Sequence, residues 1–167
     1  VSDETIEIVR SSFSFSDMSE GLFDISIGPL VDLWDIKASN PHLPSEKEIE
    51  HALEKVDYNK VIIDSDNNTL FLSEQGMSID LGAIAKGFIT DKLVEYLSKT
   101  KIRSAMLNLG GNLHLYGSKP DGSLWQIGIR NPYGSQGDYI GIIQVKNTSV
   151  VTSGIYERYF EIENKRY

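Results

Sequence analysis

The chain has 167 residues, 40% of them hydrophobic and 24% charged, an ordinary globular mixture that is long enough for one domain with a core. Sixteen basic residues against 24 acidic ones leave a net charge of −8, which argues against a protein that binds the nucleic-acid backbone. The lack of Cys excludes disulfides, thiolate nucleophiles and zinc-thiolate sites, and no apolar run reaches membrane-spanning length.

The first part of the chain predicts two helices. Apolar residues at helical spacing over 6–13 predict a helix that ends before Gly21. Ser45, followed three residues later by Glu48, forms a capping box and predicts the start of a helix over 46–56. Between these helices the Gly-Pro pair at 28–29 is interpreted as a turn.

The rest of the chain predicts mainly strands. Two apolar runs, 61–64 and 69–72, flank the polar sequence SDNN and predict a hairpin. A short apolar run over 77–81 predicts a strand, and helical spacing over 83–99 predicts the helix that follows it. The remaining predicted strands are 105–109, 113–116, 125–130, 139–145 and 156–162. Because strands follow helices in blocks, we predict an α+β fold with a mainly antiparallel sheet and packed helices, in a single domain over 1–167.

The octapeptide DLGAIAKG at 80–87 joins a predicted strand end to a predicted helix start. Backbone N–H groups at a helix start are unpaired and the helix dipole there favours negative charge, so this junction suits an anion or a phosphate. Lys86 adds a mobile positive charge nearby. The alternative is structural, because any strand-to-helix turn favours Gly and a small residue, and Asp80 would then only cap the helix.

A second motif, GLFDISIGPLVDLWD at 21–35, combines an acid, Asp24, with several large apolar side chains. Taken alone, the residue types favour Phe23, Ile25 and Trp34 as core residues.

Two further motifs place glycine where a backbone could approach a neighbour closely. LNLGGN at 107–112 contains Gly110 and Gly111, which suit either contact with a ligand or a bulge at a strand end. VTSGIYERYF at 151–160 brings hydroxyls, N–H groups and Arg158 together, as a second phosphate contact or as a turn into a strand. The three His residues lack metal-binding spacing and receive no role.

Together and in this order, the four motifs resemble the ApbE family of flavin transferases, which move FMN from FAD onto a protein hydroxyl. The resemblance covers residues 21–167 and implies an ApbE-like α+β fold. It implies that five residues bind FAD: Leu22, Phe23, Asp24, Asp80 and Lys86. It also implies a magnesium ligand at Ala83, which could serve only through its backbone carbonyl, an oxygen of the kind that hard cations take.

The resemblance further implies a reaction. A Ser or Thr hydroxyl of a target flavoprotein, in a sequence like Asp-x-Ser/Thr-Gly-Ala-Ser/Thr, would attack the FMN phosphate of FAD, and AMP would leave. Such a transfer depends on positioning and on neutralising charge at the phosphoryl oxygens, which Mg²⁺ and a Lys can supply. Two alternatives stay open: a protein that binds or sequesters FAD without transfer, and a hydrolase that splits FAD into FMN and AMP.

Both ends of the sequence indicate that the chain is a piece of a longer protein. Val1 is not Met, and Tyr167 directly follows a predicted strand and turn. Family members continue with a His, and later with an Asp and a Thr that complete the metal site. We therefore expect the catalytic His to lie beyond Tyr167 and the chain alone to be inactive. The resemblance also implies a lipid-anchored protein outside the cytoplasmic membrane, with its anchor outside this chain.

Overall fold

The computed structural model describes residues 1–39, 41–135, 137–154 and 159–167. They form two compact units: Val1–Ala85 with the C-terminal residues 159–167, and the described residues from Lys86 to 154. In chain order the elements are α1 (Asp3–Met18), α2 (Gly28–Trp34), α3 (Glu46–Leu53), β1 (Val61–Asp64), β2 (Thr69–Leu72), α4 (Ala85–Ser98), β3 (Ala105–Leu109), β4 (Asn112–Tyr116), β5 (Trp125–Arg130), β6 (Tyr139–Val145), β7 (Thr148–Val151), β8 (Glu161–Ile162) and β9 (Lys165–Arg166). That 1–167 forms one domain stays a prediction.

Two helices of the first unit, α1 and α3, begin at side-chain caps. The Ser2 hydroxyl accepts a hydrogen bond from the Thr5 N–H at the start of α1. Both halves of the predicted capping box are present at α3, where Ser45 accepts from the Glu48 N–H and the Glu48 carboxylate accepts from the Ser45 N–H. The α1 helix buries one face, and the buried apolar residues of this unit are Ile6, Ile8, Val9, Ile25, Val61, Met77 and Phe160.

A turn segment before α2 is joined by its backbone to residues 78–80 of the same unit. Ile27 pairs with Ser78 in an isolated parallel bridge, and the Asp80 N–H donates to the Ile25 carbonyl at 2.8 Å. The predicted strand over 77–81 is therefore wrong as a strand and is extended chain with one bridge. The partner segment turns into α2 at Gly28, so the pairing is limited to this one bridge. A Cβ at Gly28 would lie 2.8 Å from the Ser78 carbonyl oxygen, so only glycine fits this approach.

The second unit combines α4 with antiparallel strands. The strand β4 pairs with β3 on one side and with β7 on the other, while β5 and β6 form a separate hairpin. Gly110 and Gly111 make the β3–β4 turn with φ of 57° and 88°, values that favour glycine. The buried Asn112 amide donates to the buried Thr90 hydroxyl at 2.9 Å, which fastens α4 to this sheet.

The predicted fold class is confirmed: helices pack with sheets in which every strand pair is antiparallel among the described residues. The helix α2 was missed, because Pro29 was interpreted as part of a turn although Pro is well suited to the first positions of a helix. Of the predicted strand 156–162, residues up to 158 lie outside the described chain and only Glu161–Ile162 is a strand. No helix in the described part is long and apolar enough to cross a bilayer.

Candidate functional site

Asp80 lies at the turn that leads into α4. One oxygen of its carboxylate, Oδ1, accepts a hydrogen bond from the Gly82 N–H at 2.8 Å. The N–H groups of Ile84 and Ala85 then close the turn by donating to the Leu81 carbonyl. Oδ1 therefore has the capping role that the structural alternative predicts for Asp80. Within the described chain that N–H is the only donor to the carboxylate, so Oδ2 is free to accept from a ligand.

Asp80 and Gly82 form one end of a pocket of ≈ 630 Å³ that runs along α2. Most of its other walls are apolar side chains, and its two remaining charged residues are at the C-terminal end of α2. These lining residues are Ile27, Leu30, Val31, Trp34, Ile36, Asp35 and Lys37. A pocket of this volume, with apolar walls and a few polar groups, has the character of a small-molecule or cofactor site.

Trp34 is the largest side chain in the pocket wall, and it is supported by two aromatic rings from the C-terminal segment. Its ring centroid lies 6.2 Å from that of Phe160 and 6.4 Å from that of Tyr167. Those two rings stack on each other at 5.7 Å, and their residues exchange two backbone hydrogen bonds. The aromatic cluster, Trp34, Phe160 and Tyr167, therefore fixes the indole that faces the pocket.

Asp24 has a different environment from Asp80. Its Oδ1 accepts from the N–H and the hydroxyl of Ser26, at 2.7 Å and 2.6 Å, and its Oδ2 accepts from the Tyr58 N–H at 2.9 Å. Both carboxylate oxygens are thus occupied within the protein. Asp24 is also not among the residues that line the pocket.

The two residues before Asp24 also lie outside the pocket lining. The Leu22 side chain is 93% exposed, and Phe23 is half-buried with its ring edge-to-face against Phe15 at 6.1 Å. The structure therefore does not bring Leu22, Phe23 or Asp24 to the pocket that contains Asp80. Their role in binding FAD stays a prediction.

Ala83 and Lys86 follow Asp80 along the chain. Ala83 is exposed in the turn, and its carbonyl accepts neither of the two bonds that close that turn. Lys86 is the second residue of α4 and is also exposed, and its carbonyl accepts from the Thr90 hydroxyl at 2.7 Å. It is the first residue of the second compact unit. The FAD contact of Lys86 and the metal contact of Ala83 stay predictions.

A magnesium site can be compared with the donor groups present. The Ala83 carbonyl is an oxygen ligand of the right kind, but Mg²⁺ in proteins relies mainly on one or two carboxylates, waters and substrate phosphates. Among the described residues no group of three His, Asp or Glu side chains could hold a metal. The described residues therefore do not by themselves make a magnesium site.

The other two motifs have mainly structural roles where they are described. In LNLGGN, the Asn108 side chain accepts from the Gly111 N–H at 3.0 Å, so this motif shapes the β3–β4 turn. Thr152, Ser153 and Gly154 are exposed residues after β7. Arg158, which completes that motif, lies outside the described residues.

Several pocket residues were missed by the sequence analysis. Lys37 was not singled out, and the apolar wall was considered only as core. A signal was available, because Ile27, Leu30, Val31 and Trp34 follow the i, i+3, i+4, i+7 spacing of one helix face. The Gly-Pro pair concealed that helix, and its apolar face was therefore not recognised.

Solved structures with this fold include flavin-transfer proteins. An ApbE protein from Thermotoga maritima superposes with a TM-score of 0.90 at 34% identity, over 100% of this chain and 54% of that one. The flavinyl transferase ApbE from Pseudomonas stutzeri gives a TM-score of 0.80 at 30% identity, over 100% of this chain and 51% of that one.

The sequence agrees with the structural likeness. A FAD:protein FMN transferase from Klebsiella pneumoniae is 37% identical over 167 residues, which are 100% of this chain and 51% of that protein. A protein of the same name from Treponema pallidum is 34% identical over 96% of this chain and 48% of its own length. The model of the ApbE family matches residues 1–167, so the chain belongs to the ApbE family. It spans about half the length of the curated relatives that it matches.

Proposed function

We propose that the full-length protein, meaning these 167 residues with whatever sequence adjoins them, transfers FMN from FAD to a Ser or Thr hydroxyl of a target flavoprotein. The observation that carries this proposal is the pocket beside Asp80, in a chain of the ApbE family. Relatives across the whole chain are named FAD:protein FMN transferases, which supports the same reaction here.

The chemistry of the pocket suits parts of FAD. The apolar face of α2 and the supported Trp34 indole offer a surface for a flat ring system. A carboxylate only accepts hydrogen bonds, so Asp80 would bind a hydroxyl or amino group of FAD and not its phosphates. Lys37, the cation among the lining residues, can pair with a phosphate oxygen.

In the proposed step the hydroxyl oxygen of the acceptor attacks the phosphorus of the FMN moiety. A new phosphoester bond forms between acceptor and FMN, and the bond from that phosphorus to the oxygen shared with AMP breaks. AMP leaves with that oxygen, and the hydroxyl proton passes to a base, a role that the family resemblance gives to a His beyond Tyr167. A cation such as Lys86 would stabilise the negative charge that develops on the leaving phosphate.

We also propose that the reaction needs magnesium. The support is the exposed Ala83 carbonyl, which is one suitable oxygen ligand. The other ligands would come from outside the described residues and from the phosphates of FAD. For that reason no step above is assigned to the metal.

The acceptor and the location of the protein follow from the same resemblance. We propose an acceptor segment like Asp-x-Ser/Thr-Gly-Ala-Ser/Thr, since the reaction requires an exposed hydroxyl beside small residues that permit close approach. We further propose that the full-length protein is lipid-anchored outside the cytoplasmic membrane. Membrane fractionation of the full-length protein, with protease added from outside, tests the location.

The reaction is tested by incubating the full-length protein with FAD, Mg²⁺ and an acceptor peptide. Flavin fluorescence of the peptide on a denaturing gel, together with AMP release, is expected. AMP and FMN released without a labelled peptide would indicate a hydrolase, and FAD binding without AMP would indicate a binding protein. The 167-residue chain alone is expected to label nothing, and a labelled peptide there would locate the catalytic group within 1–167.

A further inference from the structure

The segment at 24–28, which leads into α2, lies between two parts of the first unit. On one side is the turn that contains Asp57 and Tyr58, and on the other is the segment at 78–80. Hydrogen bonds join it to both sides. The hydrogen bonds that hold this segment against the turn therefore also hold the main chain at Asp80 in place.

Ser26 makes the connection to the first side. Its side chain is fully buried, with 0% exposure. The hydroxyl donates to the Asp24 carboxylate at 2.6 Å and accepts from the Asp57 N–H at 2.7 Å. The same carboxylate also accepts from the Tyr58 N–H. Two hydrogen bonds thus hold the segment against the turn, and two more, from the N–H and the hydroxyl of Ser26 to Asp24, lie within the segment.

The connection to the second side uses the backbone. The carbonyl of Ile25, which is 1% exposed, accepts from the Asp80 N–H at 2.8 Å. Ile27 forms the parallel bridge with Ser78, and Gly28 follows in close contact with the same Ser78. Asp80 is thus attached by its own main chain to the residue between Asp24 and Ser26.

We propose that Ser26 and the Asp24 carboxylate are positioning residues for Asp80. Their side chains do not touch the ligand, but they hold the segment that sets where the Asp80 carboxylate lies in the pocket. The inference rests on the proposed function only in naming FAD as the ligand. It gives the Asp24 carboxylate a role different from the direct FAD contact that the family resemblance implies.

The first test is amide hydrogen exchange in the free full-length protein with Ser26→Ala. Loss of the hydroxyl removes two hydrogen bonds, and the Asp80 amide is expected to exchange about tenfold faster. Ser12→Ala is the matched control, because Ser12 is equally buried but bonds only to a carbonyl of its own helix. The amides of α1 in the same samples report general loss of stability.

Two further variants keep the test decisive. Ser26→Cys fills the space of the hydroxyl with a slightly larger atom that is only a weak donor and acceptor, and it is expected to behave like Ser26→Ala if the hydrogen bonds matter and not the loss of a side-chain atom. Should Ser26→Ala fail to fold, Asp24→Asn replaces one oxygen by an amide that cannot accept from the Tyr58 N–H, and the same acceleration is expected at Asp80.

The second test is calorimetric titration of the full-length variants with FAD. Ser26→Ala is expected to raise the dissociation constant about tenfold, and Ser12→Ala to leave it within about twofold. An Asp80 amide that exchanges at the wild-type rate in Ser26→Ala, or one accelerated no more than the amides of α1, would overturn the positioning role. If the wild-type protein binds no FAD, the proposed function fails, and the exchange of the Asp80 amide alone decides the inference.

Discussion

The two motif aspartates, in the segments 24–28 and 78–82, are neighbours in the fold but differ in what their carboxylates do. Asp24 accepts three hydrogen bonds from within the protein, and both of its oxygens are used. Asp80 accepts one, from Gly82, and it lines a pocket. The difference shows that a motif carboxylate is available to a ligand only to the extent that the fold leaves its lone pairs unoccupied.

The largest expected difference between the two aspartates is in the free energy of unfolding, which Asp24→Ala should lower most. The change leaves two N–H groups and one hydroxyl without their acceptor in a partly buried place, and we expect the free energy of unfolding to fall by about 3 kcal/mol. Asp80→Ala removes a single bond at the turn and should cost less than about 1 kcal/mol. Urea unfolding of both variants measures the difference. Equal losses would mean that the hydrogen-bond pattern does not separate the two residues.

FAD binding is expected to show the opposite order, with a larger effect of Asp80→Ala than of Asp24→Ala. In the full-length protein, Asp80→Ala should weaken FAD binding more than tenfold, about 1.4 kcal/mol or more, because a charged hydrogen-bond acceptor is lost from the pocket. Calorimetric titration measures the dissociation constant. Asp32→Ala is the control, since Asp32 is an exposed acid on α2 outside the pocket lining. An unchanged constant for Asp80→Ala would leave that residue with only its capping role.

Lys86, six residues after Asp80, is expected to act on the phosphates of FAD. We expect Lys86→Met in the full-length protein to lower the rate of FMN transfer about tenfold with a smaller effect on FAD binding, because charge near the phosphates matters most as AMP departs. Single-turnover labelling of an acceptor peptide at saturating FAD measures that rate. Lys99→Met makes the same charge change at the far end of the helix, in a surface ion pair of little energetic value. Identical rates for wild type and Lys86→Met would refute a catalytic role.

The smallest expected effect is a change in the pKa of Glu48, an exposed carboxylate that accepts hydrogen bonds from Ser45. The N–H and the hydroxyl of Ser45 donate to Glu48 and lower the pKa of that carboxyl below its usual range. Since the pKa is lower in the folded state, this stabilisation is present above the ordinary Glu pKa and is lost as pH falls through the folded value. Ser45→Ala should therefore raise the pKa of Glu48 in an NMR titration. Glu95, whose pKa is lowered by Lys99, is the internal reference and should not move.

Much of the fold follows from local sequence signals. The hairpin of β1 and β2 and the strands β3, β5 and β6 occur where alternation and turn residues predict them, and the capping box marks the start of α3. The two main differences have separate causes. The Gly-Pro pair at 28–29 concealed α2, whereas residues 77–81 do not pair along a full strand because the partner segment turns into α2 at Gly28, a limit that comes from tertiary contacts.

The site could be predicted only in part. The turn at Asp80 is evident from its glycine and its position before a helix, and the aspartate does lie at a pocket. The occupation of the second Asp24 oxygen, Oδ2, could not be predicted, because its donor, the Tyr58 N–H, is 34 residues away along the chain. Which carboxylate is free depends on such distant contacts, and spacing along the chain does not report them.

The position of Trp34 gives the protein an optical reporter of its own pocket. The chain has two tryptophans, and the other, Trp125, lies in β5 of the second unit with its indole N–H bonded to the Gly117 carbonyl. A flavin absorbs light in the range where indole emits, so a flavin ring bound against Trp34 should quench its fluorescence by energy transfer. With Trp125→Phe the remaining emission comes from Trp34 alone, and occupancy of the pocket becomes readable without label or acceptor.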